Sequence, residues 1–468
     1  MLARRYSTGE MSWTLGEIAR ATGGRMLRGD PGLVVARVST DSRSIAEGDL
    51  FVALRGANFD GHGFAVDATA RGACGAVVAS DIDFPSGVLV RVDDTERALG
   101  DLAAHTRRQS GMRVLAVGGS NGKTTTKEMI AAIGEAEAPG QVLKTRGNWN
   151  NLIGVPLTLL GWNGETIAVL ELGMNQPGEL ARLTDIAGPD FAVLTNIAEE
   201  HLERLGSIEG VAEAEGELFA HLAAHAVAVV NADDPWIVRI AAKFAGEKIY
   251  FGSGQPVRAE HVVNLGADGV ALELHCADRS SRVRLRLAGE HAAANAVAAA
   301  AIAHAAGIRF ESIVAGLERV QPVPMRMEVR RLPNRVTLIN DAYNANPGSM
   351  EAALKALAQL PGRSLAVLGE MLELGAESVD AHRRLGERAF SSGVDLLVVV
   401  GVVADVVASG AHAAGMRANS VIACRTHGEA AEAVRARWRA GDAVLVKGSR
   451  GAQMERVVSL LEEAGKSP

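Results

Sequence analysis

Val114-Leu115-Ala116-Val117-Gly118-Gly119-Ser120-Asn121-Gly122-Lys123-Thr124-Thr125-Thr126-Lys127-Glu128-Met129 reads as an apolar strand, a glycine-rich turn and the first turns of a helix, in that order. Glycines let successive backbone N–H groups converge on an anion, and a helix N-terminus adds positive potential at the same point. Lys123 stands where it can neutralise outer phosphates, and the Thr124 hydroxyl where it can hold Mg²⁺. The strict form of this motif has glycine six positions before the lysine. This chain has Val117 there, so the turn is the shorter Gly119-x-x-Gly122-Lys123-Thr124 version. A glycine-rich turn that binds nothing is the alternative reading. The order of strand, turn and helix favours a nucleoside-triphosphate cradle made of Gly119, Ser120, Asn121, Gly122, Lys123, Thr124 and Thr125.

A chain of 468 residues has room for about three domains at ~150 residues each. Hydrophobic content of 48% fits a globular protein, and a net charge of −7 argues against a broad basic surface, so no nucleic-acid partner is expected. Cys74, Cys276 and Cys424 are far apart and in no metal-ligand spacing, which suggests reduced thiols in a cytoplasmic setting, packed as small core residues. The strongest apolar run, Leu396 to Ala404, is nine residues long, against the ~20 needed to cross a bilayer, so no membrane span is expected. Residues 1–10 lack the apolar core of a signal peptide and read as a frayed leader.

The pattern up to about residue 110 predicts a small α/β domain. Its strands are expected at 33–38, 49–54, 75–79 and 88–92, with helices at 14–22, from 62 onward and at 95–109. Ser39-Thr40-Asp41-Ser42-Arg43 follows a strand, and its hydroxyls, acid and cation either grip a polar ligand or form an ordinary polar turn. After the cradle come a strand at 141–145 and Asn148, Asn150 and Asn151, whose amides are either binding groups or turn formers. The apolar run Thr166-Ile167-Ala168-Val169-Leu170 reads as a buried parallel strand ending in Glu171, and a carboxylate at such an end lies where doubly wound sheets hold ligands. Near a triphosphate, Glu171 is a natural Mg²⁺ ligand; a solvated strand-end acid is the alternative. A strand at 191–197 aims His201 at the same crevice, with a metal contact, a phosphate contact or a purely structural role open to it.

A helix at 208–221 carries Glu213, Glu215 and Glu217, which read as a solvated face. An antiparallel excursion is expected through 270–287. His291 and Asn295 share one face of an alanine-rich helix by their i, i+4 spacing. Val320-Gln321-Pro322-Val323-Pro324 is a linker, because two prolines in three positions prevent a helix or central strand. Beyond it, strands at 336–339, 364–368, 396–400, 420–424 and 443–446 alternate with helices in a Rossmann-like sheet. No Gly-x-Gly-x-x-Gly follows its first strand, which carries Asp341-Ala342-Tyr343-Asn344-Ala345-Asn346-Pro347 instead. A dinucleotide site is therefore not expected.

Taken together, Gly119-Ser120-Asn121-Gly122-Lys123-Thr124, Asn148-x-Asn150-Asn151, Glu171-Leu172-Gly173-x-Asn175, Thr195-Asn196-Ile197-x-x-x-His201-Leu202, His291-x-x-x-Asn295, Arg326-Met327-Glu328 and Asp341-x-Tyr343-Asn344-Ala345-x-Pro347 resemble the Mur ligases of bacterial cell-wall synthesis. Within that family, Asp341 to Pro347, Gly369-Glu370-Met371-Leu372-Glu373-Leu374-Gly375 and Val446-Lys447-Gly448-Ser449-Arg450-Gly451 look like the member that adds the terminal dipeptide. The resemblance implies an α/β protein of three domains: residues 1–110 for a UDP-sugar-peptide, 111–322 as a central P-loop-type ATPase domain with a mostly parallel sheet, and 323–468 as a Rossmann-like domain for the incoming dipeptide. It implies ATP and Mg²⁺ as cofactors, UDP-N-acetylmuramoyl-tripeptide and D-alanyl-D-alanine as partners, an acyl-phosphate intermediate, and a monomer in the cytoplasm.

The same resemblance assigns roles. Lys123, Glu171, His201 and Glu215 are expected at the catalytic centre, with Thr124, Glu171 and His201 around metal. Asn295, Arg326, Asp341 and Asn344 are expected on ATP, and Ser42, Arg43, Asn148, Asn150 and Asn151 on substrate. The family usually carries a carbamylated lysine in Ala-Lys-x-Glu, where this chain has Ala214-Glu215-Gly216-Glu217. Glu215 is therefore expected to supply the charge that CO₂ creates elsewhere, unless it is only a surface acid. Two rivals remain: another amide ligase of the superfamily, of the folylpolyglutamate type, and a P-loop NTPase without ligase chemistry.

Overall fold

A computed structural model describes residues 12–56, 59–84 and 86–465. The leader expected at residues 1–10 lies outside them. Three larger sheets follow one another along the chain.

The first has five strands in the order Arg25–Arg28, Val88–Arg91, Gly75–Val78, Asp49–Val52 and Arg37–Ser39. Its first strand was not expected and pairs antiparallel with Val88–Arg91, while the other pairs are parallel. The strand expected at 33–38 is broken in two: Val34–Val35 pairs with Trp13–Thr14 in a small separate sheet, and only Arg37–Ser39 joins the main one. The helix expected from residue 62 starts as a 3₁₀ turn, Gly61–Phe64, before Ala65–Ala70.

The central sheet has nine strands. Val142–Lys144, Ile167–Glu171, Arg113–Gly118, Phe191–Leu194, Val227–Asn231, Glu247–Phe251 and Val257–Asn264 run parallel, and Val270–Cys276 and Arg279–Leu285 extend it antiparallel. The cradle strand Arg113–Gly118 is flanked by Ile167–Glu171 on one side and Phe191–Leu194 on the other. That is a topological switch point, so the loops after the three strands open into one crevice. The alanine-rich helix His291–Ala305 lies across this sheet and against the cradle helix Lys123–Glu137, and its alanines are buried on nearly every side. Small side chains permit that close approach.

The third sheet runs Glu328–Arg331, Thr337–Asp341, Ala443–Lys447, Ser364–Leu368, Leu396–Val400 and Val421–Cys424. All pairs are parallel except the unexpected edge strand Glu328–Arg331. Between Arg319 and Glu328 no helix or strand forms. None of the described helices is long and apolar enough to cross a membrane.

The cradle helix is held from outside by Phe310–Arg319, which contacts it closely at Gly316. A Cβ there would stand 2.4 Å from the Ile133 Cα, so the two backbones must separate to admit one. Gly316→Ala is expected to lower stability by ~1–3 kcal/mol, the usual range for overpacking, in urea denaturation. An unchanged urea midpoint would mean that the helices do not touch there.

Candidate active site

The cradle is built by glycine geometry and an uncapped helix. Gly119 has φ +110°, and a Cβ would stand 2.3 Å from Thr195 Oγ1; Gly122 has φ +82°, and a Cβ would meet Asn295 Oδ1 at 2.2 Å. Neither position admits a side chain. No side chain caps Lys123–Glu137, so its first N–H groups are left for an anion. Neighbouring segments hold the turn in shape: Ser120 N–H donates to the Asn196 carbonyl at 2.8 Å, and Asn121 N–H to Asn196 Oδ1 at 3.1 Å.

A cavity of about 620 Å³ opens in front of this turn and is walled by both the central and the C-terminal sheet regions. Ser120, Asn121, Gly122, Lys123, Thr124 and Thr125 line it, as do Asn148, Asn150, Glu171, His201 and Asn295 from the central region. Arg326, Asp341 and Asn344 reach the same cavity from beyond the linker. The Arg326 guanidinium lies 4.1 Å over the Tyr343 ring, a cation–π contact at the cavity wall. Asp341 Oδ1 accepts from Met327 N–H at 3.0 Å, and Oδ2 accepts from Lys447 Nζ at 2.5 Å. Three non-glycine residues lining the cavity have positive φ, namely His201, Met327 and Glu373, and so does Met325 next to Arg326. Such backbone is costly for these residue types and persists where packing overrides it.

Other expected residues lie elsewhere. Gly119 shapes the turn from behind. Asn151 Oδ1 accepts from the N–H groups of Ile153 and Gly154 at the start of helix Gly154–Leu160, the turn-forming alternative. Ser42 and Arg43 sit on the exposed 3₁₀ turn Ser42–Ser44, with Arg43 paired to Asp41 at 2.8 Å. Glu213, Glu215 and Glu217 are not one solvated face. Glu213 is exposed and Glu217 accepts from the N–H groups of Gly178 and Ala181, but Glu215 is buried, turned inward by the helical period that also buries Val211, Ala212 and Leu218.

Glu215 Oε2 accepts from Gly119 N–H at 2.8 Å, and its Oε1 is 4.0 Å from Lys123 Nζ. A second buried carboxylate, Glu200, brings Oε1 to 3.7 Å from the same ammonium. Lys123 itself folds back to donate to the Gly119 carbonyl at 2.5 Å and the Ser120 carbonyl at 3.3 Å. Burial works against its charge, but Glu200, Glu215 and Glu171 more than offset that and raise its pKa. Burial likewise lifts both acids, and Glu200 reaches about 7.

Family models match each of the three sheet regions: the Mur ligase family catalytic domain over residues 34–107, the Mur ligase middle domain over 117–303, and the Mur ligase glutamate ligase domain over 325–450. The chain is 39% identical over 466 residues to the "UDP-N-acetylmuramoyl-tripeptide--D-alanyl-D-alanine ligase" of Escherichia coli (strain K12), an overlap of 97% of this chain and 99% of that protein. The chain belongs to the Mur ligase family. Its fold matches the crystal structure of MurF from Acinetobacter baumannii with a TM-score of 0.91 at 36% identity, over 97% of this chain and 100% of the other. It matches the MurF ligase from Thermotoga maritima in complex with ADP with a TM-score of 0.83 at 30% identity, over 92% and 98%.

Several residues of this Mur ligase site escaped the sequence reading. Lys127, one helical turn after Lys123, is fully buried and donates to the Thr145 carbonyl at 2.9 Å and the Gly147 carbonyl at 3.3 Å. It thereby fixes the loop that carries Asn148 and Asn150. Its signal was a lysine on a helix face otherwise filled by Ile130 and Ile133. Lys447 sits in a motif quoted for resemblance alone, and Glu200 stood unnoticed beside His201.

The family implies Mg²⁺, and the donor set fits it. Thr124 Oγ1 and Glu171 Oε1 are 3.1 Å apart. Neighbouring ligands of an octahedral Mg²⁺ with bonds of ~2.1 Å stand ~3.0 Å apart. His201 Nδ1 donates to Glu373 Oε2 at 2.5 Å, which leaves Nε2 with a lone pair, and burial pushes the ring's pKa down despite Glu373. Among the described residues no three His, Cys, Asp or Glu side chains form a ready-made cage. Mg²⁺ at nucleotide sites does not need one, since water and phosphates complete its shell.

The raised Glu200 pKa has a sign that can be tested. Below its ordinary value of 4.5 the group is neutral in folded and unfolded chain alike; between 4.5 and about 7 the folded chain keeps a proton the unfolded chain has lost. Stability is therefore lost as pH rises through that window and stays lost above it. Glu200→Gln removes the ionisation, with Glu215 still facing Lys123. Thermal melts without nucleotide or metal are expected to show the variant gaining on wild type at pH 8 and approaching it below the ordinary value of 4.5, whereas equal shifts at both would refute the cause.

Proposed function

We propose that this chain joins D-alanyl-D-alanine to UDP-N-acetylmuramoyl-tripeptide in peptidoglycan precursor synthesis, using ATP and releasing ADP and phosphate. The supporting observation is one cavity in which the triphosphate cradle of the central region faces the Asp341 to Pro347 segment of the C-terminal region. Joining a carboxylate to an amine is uphill in water, and ATP overcomes this by activating the carboxylate. A carboxylate oxygen of the tripeptide attacks the γ-phosphorus, the bond to the β-bridging oxygen breaks, and ADP leaves. The dipeptide amine then attacks the acyl carbon, loses a proton and expels phosphate. No side chain of the protein becomes covalently attached. Its work is alignment and charge stabilisation.

In this reading Lys123 swings from the Gly119 and Ser120 carbonyls onto the β- and γ-phosphates, while the open N–H groups of Lys123–Glu137 hold the remaining oxygens. Thr124 and Glu171 would hold a first Mg²⁺, and Glu171 and His201 a second. When bound, Mg²⁺ screens the phosphoryl charge that otherwise repels an incoming carboxylate. Asn295, Arg326, Asp341 and Asn344 contact the nucleotide. Asn148 and Asn150 orient the peptide, Asn151 holds their loop by capping the next helix, and Ser42 and Arg43 take the uridine diphosphate part. The domains divide at residues 1–110, 111–322 and 323–468, and the enzyme works as a cytoplasmic monomer.

Phosphate release is expected only when ATP, UDP-tripeptide and D-alanyl-D-alanine are all present, with ¹⁸O passing from the tripeptide carboxylate into phosphate. Lys123→Ala is expected to lower turnover at least ~10²-fold, as removal of a charge-stabilising group does. Release without peptide substrates would favour a simple NTPase, and release with folate and glutamate a folylpolyglutamate-type ligase.

Glu215 supplies from behind the loop the negative charge that a carbamylated lysine carries elsewhere in the family. Its hydrogen bond to Gly119 and its approach to Lys123 support this role. Wild-type turnover is accordingly expected to be flat across a bicarbonate titration, and Glu215→Ala to lose activity that bicarbonate does not restore. An unaffected Glu215→Ala variant would end the idea.

A further inference from the structure

Lys123 faces two incompatible demands. It is the counter-charge for Glu200 and Glu215, and it is the cation that a triphosphate in the cradle must attract. When Nζ moves to the phosphates, Glu215 keeps the Gly119 N–H as a partner. Glu200 keeps a weaker partner, the Ser120 hydroxyl, which also donates to the Ala198 carbonyl. Its side chain lines the cavity and is over nine-tenths buried, and its Oε1 accepts no hydrogen bond. A buried carboxylate stripped of its cation is strongly destabilising. Adding the negative charge of ATP beside it makes the imbalance worse.

The other oxygen of Glu200 indicates what restores the balance. Oε2 lies 4.0 Å from His201 Nε2. Because Glu373 occupies Nδ1 of that ring, the atom facing Glu200 is an acceptor in the neutral imidazole. The gap is longer than a hydrogen bond, so neither atom is committed to the other. A carboxylate oxygen and a neutral imidazole nitrogen are both divalent-cation ligand types, and here they stand side by side at the cavity wall.

We propose that Glu200 is a divalent-cation ligand, paired with His201, and that the cation it holds replaces Lys123 as counter-charge when a nucleoside triphosphate fills the cradle. The proposal rests on the ATP reading above. It gives Glu200 a role separate from that of Glu215, whose oxygens are turned away from the cavity onto the loop. It also makes the second cation obligatory with triphosphate and dispensable in the empty protein, where Lys123 suffices.

Mn²⁺ is the probe. Titrated into the full chain with a non-hydrolysable ATP analogue and followed by the electron paramagnetic resonance of free Mn²⁺, wild type is expected to bind two ions. Glu200→Gln is expected to weaken one of them by at least ~10-fold, the lower end of the range for groups that hold or orient a metal. Glu200→Asp, which keeps the charge on a shorter arm, is expected to fall between, and Glu213→Gln on the exposed face of the same region to match wild type. Circular dichroism of each variant separates a binding defect from misfolding. Two unweakened Mn²⁺ sites in folded Glu200→Gln would overturn the proposal. So would tighter metal-free binding of the analogue with unchanged Mn²⁺ affinity, since Glu200 would then be only a counter-ion. Wild type that binds no analogue at all would instead overturn the ATP reading itself.

Discussion

The charge of one lysine organises this molecule. Lys123 Nζ lies 3.7 Å from Glu200 and 4.0 Å from Glu215, inside a shell that excludes most water. At an effective dielectric near 20, each such attraction is worth ~4 kcal/mol before desolvation. Removing three charges from water costs several kcal/mol per ion. The two terms are of similar size, so neither locks the lysine in place. A cation held in such near-balance is free to change partners when a stronger anion arrives, which is what the proposed ATP site requires of it. The glycines at Gly119 and Gly122 matter because they bring backbone N–H groups close enough to share the load.

The same reasoning explains the strained backbone. His201, Met325, Met327 and Glu373 adopt left-handed conformations that glycine would hold more easily. Three bonds join the central and C-terminal regions at this level: His201 to Glu373, Glu203 N–H to the Glu373 carbonyl at 3.0 Å, and Asn346 Nδ2 to Asn121 Oδ1 at 2.9 Å. The strained residues lie at or beside these contacts and beside Arg326. Strain there fixes the direction of the His201 ring and of the Arg326 guanidinium. Ring and guanidinium are thus positioned by backbone packing from two regions of the chain.

Much of the site could be read directly from the chain because its parts are local. A strand, a glycine turn and a helix start are contiguous, and a continuous apolar run marked the strand that ends at Glu171. The misses have physical causes. Arg25–Arg28 and Glu328–Arg331 are charged edge strands whose pairing comes from partners distant in sequence, so no apolar run announces them. The segment around Val34 to Ser39 looked like one strand because hydrophobicity does not reveal where the backbone changes sheets. Glu215 and Asn151 show the limit for side chains: one acid on an acidic helix turned inward, and one asparagine of a cluster turned to cap a helix.

Sequence alone determined the cradle, the order of the α/β units, the linker and the family, since each is carried by residues near one another in the chain or by motifs whose spacing is itself the signal. Tertiary structure decided which of the carboxylates meet Lys123, which face the cavity, and that Glu373 orients His201 from another region. Those outcomes depend on which way a side chain turns once distant segments pack together. Burial then sets its charge, through distances of a few ångströms that are not encoded in linear spacing.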